Sequence, residues 1–249
     1  MRYSVFLAAG IATTPDFFTT FGQKLVEKFS QAGVHARIFF QFPYGDSERR
    51  LAAQTYEVQW DMRLPFASVH QSFGGERLRQ NILRRYAGER LFLIGHSAGG
   101  VASCHAAYML EKLDGIPVQR IIQIGSPKIR IFPALQKKCA YLKGIGSSGC
   151  DRICRLGSWA GWEFERYIPY WRKDKYAPSL TAEVRLIGGH ADYFRDLDSF
   201  CDDDGVSNLQ KTLNFVWDWL DVSSRNIGKG EEKTVFSSKH RSKEPILSW

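Results

Sequence analysis

A chain of 249 residues, of which 44% are hydrophobic, is long enough for one α/β domain with a substantial core. No apolar run reaches the roughly 18 residues that a membrane-spanning helix needs. The net charge of +8 accompanies no recognised nucleic-acid-binding motif, so we expect a solvated basic surface and no nucleic-acid partner. A weak attraction of this surface to anionic membranes or substrates is the alternative.

The cysteines and the first residues bear on the cellular compartment. The five cysteines are an odd number without regular spacing, and Cys150 and Cys154 do not form a Cys-x-x-Cys pair. We therefore expect no metal site, free thiols and a cytoplasmic location. Residues 1–10 resemble a signal peptide only weakly, and we interpret them as the start of the first strand.

The chain alternates between short apolar runs and stretches with helical spacing. The apolar runs predict strands at 3–9, 36–42, 91–94, 118–124, 139–145 and 182–187. The helical spacing predicts helices at 15–32, 75–87, 101–112 and 208–220, with 47–60 as a further candidate. Strands that alternate with helices predict an α/β fold with a doubly wound, mostly parallel sheet.

The composition changes near the end of the chain. We expect one domain over residues 1–221, because from residue 222 onward the chain is rich in serine, glycine and basic residues. Few apolar residues remain there, which predicts a flexible basic tail over 222–249. The last five residues either dock onto the domain or a partner, or form a frayed end.

The sequence Gly95-His96-Ser97-Ala98-Gly99-Gly100 stands between a predicted buried strand and a predicted helix. A Gly-x-Ser-x-Gly pattern in this context is typical of a nucleophile elbow, which lifts the serine hydroxyl clear of the sheet. The same turn aims the first free N–H groups of the helix at that hydroxyl. We therefore predict that Ser97 is a nucleophile. A tight turn with an inert serine, as in a degenerate hydrolase, is the alternative.

A serine nucleophile needs a general base, and the base needs an acid that holds its tautomer. In folds with a nucleophile elbow of this kind, the chain order is serine, acid, histidine. His190 follows the last predicted strand, at the place where a base reaches the elbow. Asp151 follows the strand at 139–145 and a glycine–serine loop, so it is the favoured acid. Asp174 is the rival, but the neighbouring cations make a surface ion pair the simpler interpretation of that residue.

An oxyanion hole needs two N–H donors near the nucleophile. The first is the backbone N–H of Ala98, the residue after Ser97. The second comes from the loop after an earlier strand, and we nominate the N–H of Ile11, with Ala12 as the neighbouring possibility.

Four short motifs carry a family resemblance. The elbow resembles that of α/β-hydrolase lipases and esterases, and Gly125-Ser126-Pro127 is similar to a motif of fungal-type triacylglycerol lipases. Asp151-Arg152-Ile153-Cys154-Arg155-Leu156 resembles their acid segment, with Gly157 in place of a proline, and His190-Ala191-Asp192-Tyr193-Phe194 resembles their His-x-x-Tyr-Phe. The resemblance implies a triad of Ser97, Asp151 and His190. It also implies ester hydrolysis through an acyl-enzyme.

One departure concerns the first oxyanion loop, where the family's usual His-Gly reads Ala9-Gly10. We interpret the protein as a serine esterase or lipase-like hydrolase that acts on small-molecule acyl esters without a metal or cofactor. Thioesterases, acyltransferases and amidases use the same machinery. A hydrolase-fold binding or scaffold protein with a decayed site is the alternative from another class.

Seven aromatic residues crowd into the 18 residues from 159 to 176: Trp159, Trp162, Phe164, Tyr167, Tyr170, Trp171 and Tyr176. One interpretation is a cap over 156–180 that roofs Ser97, with Trp159, Trp162 and Trp171 lining an acyl pocket and touching a lipid surface. The other interpretation is a helix packed on the core. Residues 46–70 are a second candidate cap element, on the opposite wall.

Overall fold

The computed structural model describes residues 2–146 and 149–222. The strands are β1 (Arg2–Ala8), β2 (His35–Gln41), β3 (Arg90–His96), β4 (Val118–Ile124), β5 (Cys139–Gly146), β6 (Gly149–Cys150), β7 (Gly161–Glu165), β8 (Ile168–Arg172) and β9 (Leu180–Arg185). The helices are α1 (Thr19–Gln31), α2 (Leu51–Arg63), α3 (Phe73–Leu83), α4 (Ala98–Leu113), α5 (Pro133–Gln136) and α6 (Asn208–Leu220). Short 3₁₀ turns cover Phe66–Gln71, Ile153–Arg155 and Asp198–Phe200.

The central sheet has the strand order β2-β1-β3-β4-β5, and both β9 and the two-residue β6 pair with β5. Every pairing is parallel except that of β6. Alternate residues of β1 enter two different cores: Phe6 packs with α3 and α4 on one face, whereas Val5 packs with α1 and α6 on the other. Burial on both faces is what the unbroken apolar strands predict. The predicted α/β fold with a doubly wound, mostly parallel sheet is thereby confirmed.

Most predicted elements are found within a few residues of their predicted bounds. The strand at 118–124 and the helix at 208–220 are found as predicted. The first helix begins four residues later than predicted, because Pro15 and Asp16 lie in a turn closed by the Phe17 N–H and the Thr14 carbonyl. Val222, the residue after the predicted end of the domain, is buried in the core. The remainder of the predicted tail lies outside the described residues.

The aromatic segment is a β-hairpin and not a helix packed on the core. β7 and β8 pair antiparallel around a two-residue loop, Arg166-Tyr167, in which both φ angles are positive (46° and 77°). Loops of this kind usually carry asparagine or glycine, so the turn left no signal in the sequence. Trp162 and Trp171 pair across the strands with ring centroids 5.3 Å apart, and 58% and 50% of their surfaces are exposed. The helical interpretation is therefore wrong.

Trp159 lies at the base of this hairpin and belongs to the domain. Its ring packs edge-on against Tyr141 at 4.9 Å between centroids, and the Lys128 ammonium lies 5.0 Å from the ring centroid. The Tyr176 N–H donates to the Trp159 carbonyl, at 2.9 Å. These contacts fix the hairpin where it leaves the domain.

A buried carboxylate joins α2 to the start of α3. Asp61 is 1% exposed and accepts hydrogen bonds from Tyr44 Oη (2.9 Å), from Ser72 Oγ (2.7 Å) and from backbone N–H groups. Those N–H groups belong to Phe73 and Gly74, at 2.8 and 2.9 Å. Free N–H groups and the helix dipole stabilise a negative charge at this position, which is how the fold accommodates a buried carboxylate.

The same network reaches α4 through Ser72 and His105. The Ser72 hydroxyl donates its hydrogen bond to Asp61, so it accepts from His105 Nδ1, at 2.9 Å, and from the Gly75 N–H. His105 is therefore a neutral imidazole that carries its proton on Nδ1.

None of the helices in residues 2–146 and 149–222 is long and apolar enough to cross a membrane.

His105 predicts a pH dependence of stability. Burial lowers the pKa of His105 to about 4 from 6.5, so the unfolded chain takes up this proton first as the pH falls. The contribution of His105 is complete above about pH 6.5 and is lost as the pH falls towards 4, at up to about 1.4 kcal/mol per pH unit. We expect His105→Gln to flatten the decline of the unfolding free energy over this window, measured by urea denaturation. Exposed His35→Gln is the control, and an unchanged slope in His105→Gln would contradict the assignment.

Candidate active site

The elbow places Ser97 in a strained backbone conformation between β3 and α4. Its φ and ψ are 55° and −132°, a region that residues with side chains rarely adopt. A Cβ added at Gly95 would lie 2.3 Å from the Gly99 carbonyl oxygen, and one added at Gly99 would lie 2.0 Å from the Ala8 carbonyl oxygen. Only glycines at both positions allow α4 to begin this close to the strands.

The structure brings the three predicted triad residues into one chain of hydrogen bonds. Ser97 Oγ lies 2.9 Å from His190 Nε2, and His190 Nδ1 lies 2.7 Å from Asp151 Oδ2. The Asp151 side chain is 4% exposed and that of His190 is 30% exposed. The rival acid, Asp174, lies on the surface and pairs with Arg172 at 2.9 Å. Of the two candidate acids, only Asp151 reaches the histidine.

The surroundings of Asp151 favour its charged form. Burial raises the pKa of this carboxyl. The hydrogen bonds from His190, the Ile153 N–H and the Tyr193 hydroxyl lower the pKa by more than burial raises it, so it lies below its ordinary value. A carboxylate only accepts hydrogen bonds, so the proton of His190 is on Nδ1. Nε2 is therefore free to accept the proton of Ser97.

Tyr193 extends the acid's hydrogen bonds to the sheet. Its hydroxyl donates to Asp151 Oδ2 at 3.0 Å and accepts from the Gly144 N–H of β5 at 2.6 Å. Burial raises the pKa of Tyr193, so the phenol stays neutral. In the sequence analysis Tyr193 appears only as a member of the motif that begins at His190, three residues after the histidine.

His96 supports the candidate base, and the sequence analysis missed it. Its ring stacks on that of His190 with centroids 4.8 Å apart, and its Nε2–H donates to the His190 carbonyl at 3.0 Å. Burial, and then the charge of His190, lower the pKa of His96 to about 3, so it stays neutral. A residue next to Ser97 cannot turn back to act as its base, so chain order alone gives His96 no role. The available signal was its position inside the elbow motif.

The loop after β1 lies against the nucleophile. A Cβ added at Gly10 would lie 3.0 Å from Ser97 Oγ and 3.3 Å from the Ala98 nitrogen. The Ala12 N–H donates to Gln54 Oε1 at 3.0 Å and is not free to bind an oxyanion. Of the two predicted second donors, the geometry therefore favours Ile11, together with Ala98.

The ring contacts of the three predicted pocket tryptophans are with residues outside the triad. Trp159 packs at the base of the hairpin, and Trp162 and Trp171 contact each other on its exposed face. Within the described part of the chain, no hydrogen bond or ring contact joins the hairpin to Ser97, Asp151 or His190. A cleft of about 440 Å³ borders the acid and the base instead, and five of its lining residues are glycines: Gly144, Gly146, Gly149, Gly188 and Gly189.

No protein-family model and no curated protein sequence matches this chain. Among solved structures it is similar to the NocB thioesterase domain from the nocardicin cluster, at 13% identity and TM-score 0.49, covering 88% of this chain and 93% of that one. It is also similar to ClbQ from the colibactin NRPS/PKS pathway, at 11% identity, TM-score 0.49 and coverage of 91% and 100%.

A third solved structure is RedJ, a thioesterase from the prodiginine pathway in Streptomyces coelicolor, at 12% identity, TM-score 0.48 and coverage of 87% and 85%. These similarities assign neither a family nor an activity to the chain. The resemblance to fungal-type lipases stays a prediction.

The choice between the two acids makes a sharp prediction. Asp151→Asn removes the acceptor that holds the proton on Nδ1, and we expect turnover of a short acyl ester to fall by about 10⁴-fold with the fold retained. Asp174→Asn is the matched control, since this residue is exposed and bonds to Arg172, and turnover should stay within about twofold. Steady-state kinetics and circular dichroism on both variants make the comparison. The reverse pattern would show that Asp151 is not the acid.

Proposed function

We propose that the protein is a serine hydrolase that cleaves carboxylic esters of small acyl substrates through an acyl-enzyme on Ser97. The observation that carries the proposal is the unbroken chain of hydrogen bonds from Ser97 through His190 to a buried carboxylate, at a strained elbow. A strained residue persists only where the surrounding structure holds it, and such residues cluster at active sites. The arrangement therefore favours a catalytic serine over a scaffold protein.

The chemistry follows from the positions of the protons. His190 Nε2 takes the proton of the Ser97 hydroxyl as its oxygen attacks the carbonyl carbon, and Asp151 stabilises the resulting imidazolium. The N–H groups of Ala98 and Ile11 hold the oxyanion of the tetrahedral intermediate. His190 then protonates the leaving group. In the second half of the reaction His190 takes a proton from the water that attacks the acyl-enzyme and returns it to Ser97 as the acid leaves. The residues required are all present, and no metal or cofactor takes part in this mechanism.

Oxygen esters are our first choice of substrate, and thioesters with the same acyl chain are the second candidate. Both react through the same acyl-enzyme, and the triad geometry serves both. Acyl transfer differs only in the acceptor that replaces water. Matched substrates with one acyl chain and two leaving groups therefore distinguish ester from thioester cleavage, and a change of acceptor distinguishes acyl transfer from hydrolysis.

Labelling of Ser97 tests the proposal directly. We expect a fluorophosphonate probe to attach covalently to the wild-type protein, because the probe reacts only with an activated serine. Ser97→Ala should abolish labelling and hydrolysis of both a short acyl oxygen ester and the matched thioester. Ser103→Ala, a buried serine on α4, is the control variant and should still label. An intact protein that neither labels nor turns over either substrate would favour the binding or scaffold alternative.

We propose further that the face of the β7–β8 hairpin that carries Trp162 and Trp171 selects the acyl chain. Trp162 and Trp171 share this face, and half or more of the surface of each residue is exposed. Trp171→Ala should therefore shift the preferred acyl length or raise KM, while the melting temperature stays close to that of the wild type. Hydrolysis of a series of esters from two to twelve carbons, with thermal melts, measures both effects.

Ile168→Ala is the matched control for this experiment. Ile168 lies opposite Glu165, on the other face of the same hairpin, and is 69% exposed. It should leave both the length profile and the melting temperature unchanged. If Trp171→Ala lowers the melting temperature and keeps the profile, the hairpin has a structural role and does not select the substrate.

A further inference from the structure

Gln54 on α2 is a fully buried amide that joins two loops near the nucleophile. Its Oε1 accepts from the Ala12 N–H at 3.0 Å, and its Nε2 donates to the carbonyls of Asp46 and Arg49 at 2.7 and 2.8 Å. Each end of the amide therefore meets backbone groups of the correct kind. A buried amide bonded in this way holds its partners in place, since breaking any of these bonds would leave a polar group without a partner.

The segment that Gln54 holds is the loop of the proposed oxyanion hole. Ala12 has a φ of 53°, which is uncommon for a residue with a side chain and needs support from its surroundings. Thr13 Oγ1 reaches the carbonyls of Gly10 and Ile11 at 3.3 and 3.1 Å, and the Ser47 N–H donates to the Thr13 carbonyl at 2.9 Å. The loop is therefore fastened on the side facing α2.

These contacts orient the Ile11 N–H. The Gly10 carbonyl and the Ile11 N–H belong to one planar peptide unit and point in opposite directions. Thr13 holds that carbonyl, and the Gly10 backbone packs against Ser97 and Ala98. Gln54 binds the next N–H along the chain, that of Ala12, and so keeps it turned away from the nucleophile.

We propose that Gln54 is a positioning residue of the oxyanion hole, acting through the Ala12 N–H to keep the Ile11 N–H directed at the developing negative charge. This inference rests on the proposed function. An interaction made only in the transition state affects kcat and not KM. Gln54 touches no reacting atom, so its loss should cost less than the 10²- to 10³-fold of a lost donor, and we expect about 10- to 100-fold in kcat.

The test compares three variants with a short acyl ester and an alkyl boronic acid, which forms a tetrahedral adduct on the serine. Gln54→Met removes all three hydrogen bonds at nearly constant volume, and we expect kcat to fall about 10- to 100-fold with KM within twofold. The boronic acid should bind more weakly by a similar factor. Gln54→Glu keeps an acceptor for the Ala12 N–H and should recover part of the lost kcat. If Gln54→Met does not fold, Gln54→Asn replaces it, because its amide is one methylene too short.

Asp61→Asn is the matched control, because it lies on the same helix and is buried but bonds to α3 and not to the Ala12 loop. It should lower the melting temperature and leave kcat within about twofold at the assay temperature. If Gln54→Met lowers only the melting temperature, or leaves boronic acid affinity unchanged, the inference is overturned. If the wild-type protein itself neither turns over the ester nor binds the boronic acid, the proposed function fails instead.

Discussion

The close approach of α4 to the strands β1 and β3 is the constraint on which the site depends. It forces Ser97 into a backbone conformation that costs about 1–3 kcal/mol. Burial of twelve residues of α4 offsets this cost, and the Ser97 N–H is still satisfied by the Ile124 carbonyl at 2.9 Å. The turn is therefore held from both sides, with the Ser97 hydroxyl 2.9 Å from His190 Nε2.

The parallel sheet then brings the other groups to the same edge. β1 ends at the loop of Gly10 and Ile11, β3 ends at Ser97, β5 leads to Asp151, and β9 leads to His190. The carboxyl ends of parallel strands meet at one edge of a sheet, which is where such folds bind their ligands. Four segments that are far apart in the sequence therefore converge on the Ser97 hydroxyl.

The charge distribution around the acid follows from burial. Asp151 is ionised because three donors outweigh the effect of burial on its pKa, while the buried neighbours His96 and Tyr193 are neutral. One negative charge surrounded by neutral donors stabilises a positive charge on His190. In the proposed mechanism His190 gains a positive charge as it takes the proton of Ser97, so the arrangement favours the transition state.

The elements that the sequence predicted are those with a periodic apolar pattern or with a recognisable motif. β4 and α6 have strong apolar patterns, and Ser97 and His190 follow from a motif and from chain order. The β7–β8 hairpin was missed because its turn, Arg166-Tyr167, lacks the residues that usually mark positive φ angles. Gln54 was missed for another reason, since a buried amide bonded to backbone groups leaves no pattern in one sequence and shows its role only once the loops are placed in space.

A covalent acyl intermediate on Ser97 is the central claim, and rapid-quench mass spectrometry of the intact protein tests it most directly. After milliseconds with an activated acyl ester, the mass should rise by one acyl group, and peptide mapping should place that group on Ser97. The adduct should form far more slowly in His190→Ala. An adduct on the neighbouring thiol of Cys150, or full turnover without any adduct on Ser97 under acylation-favouring conditions, would contradict the account.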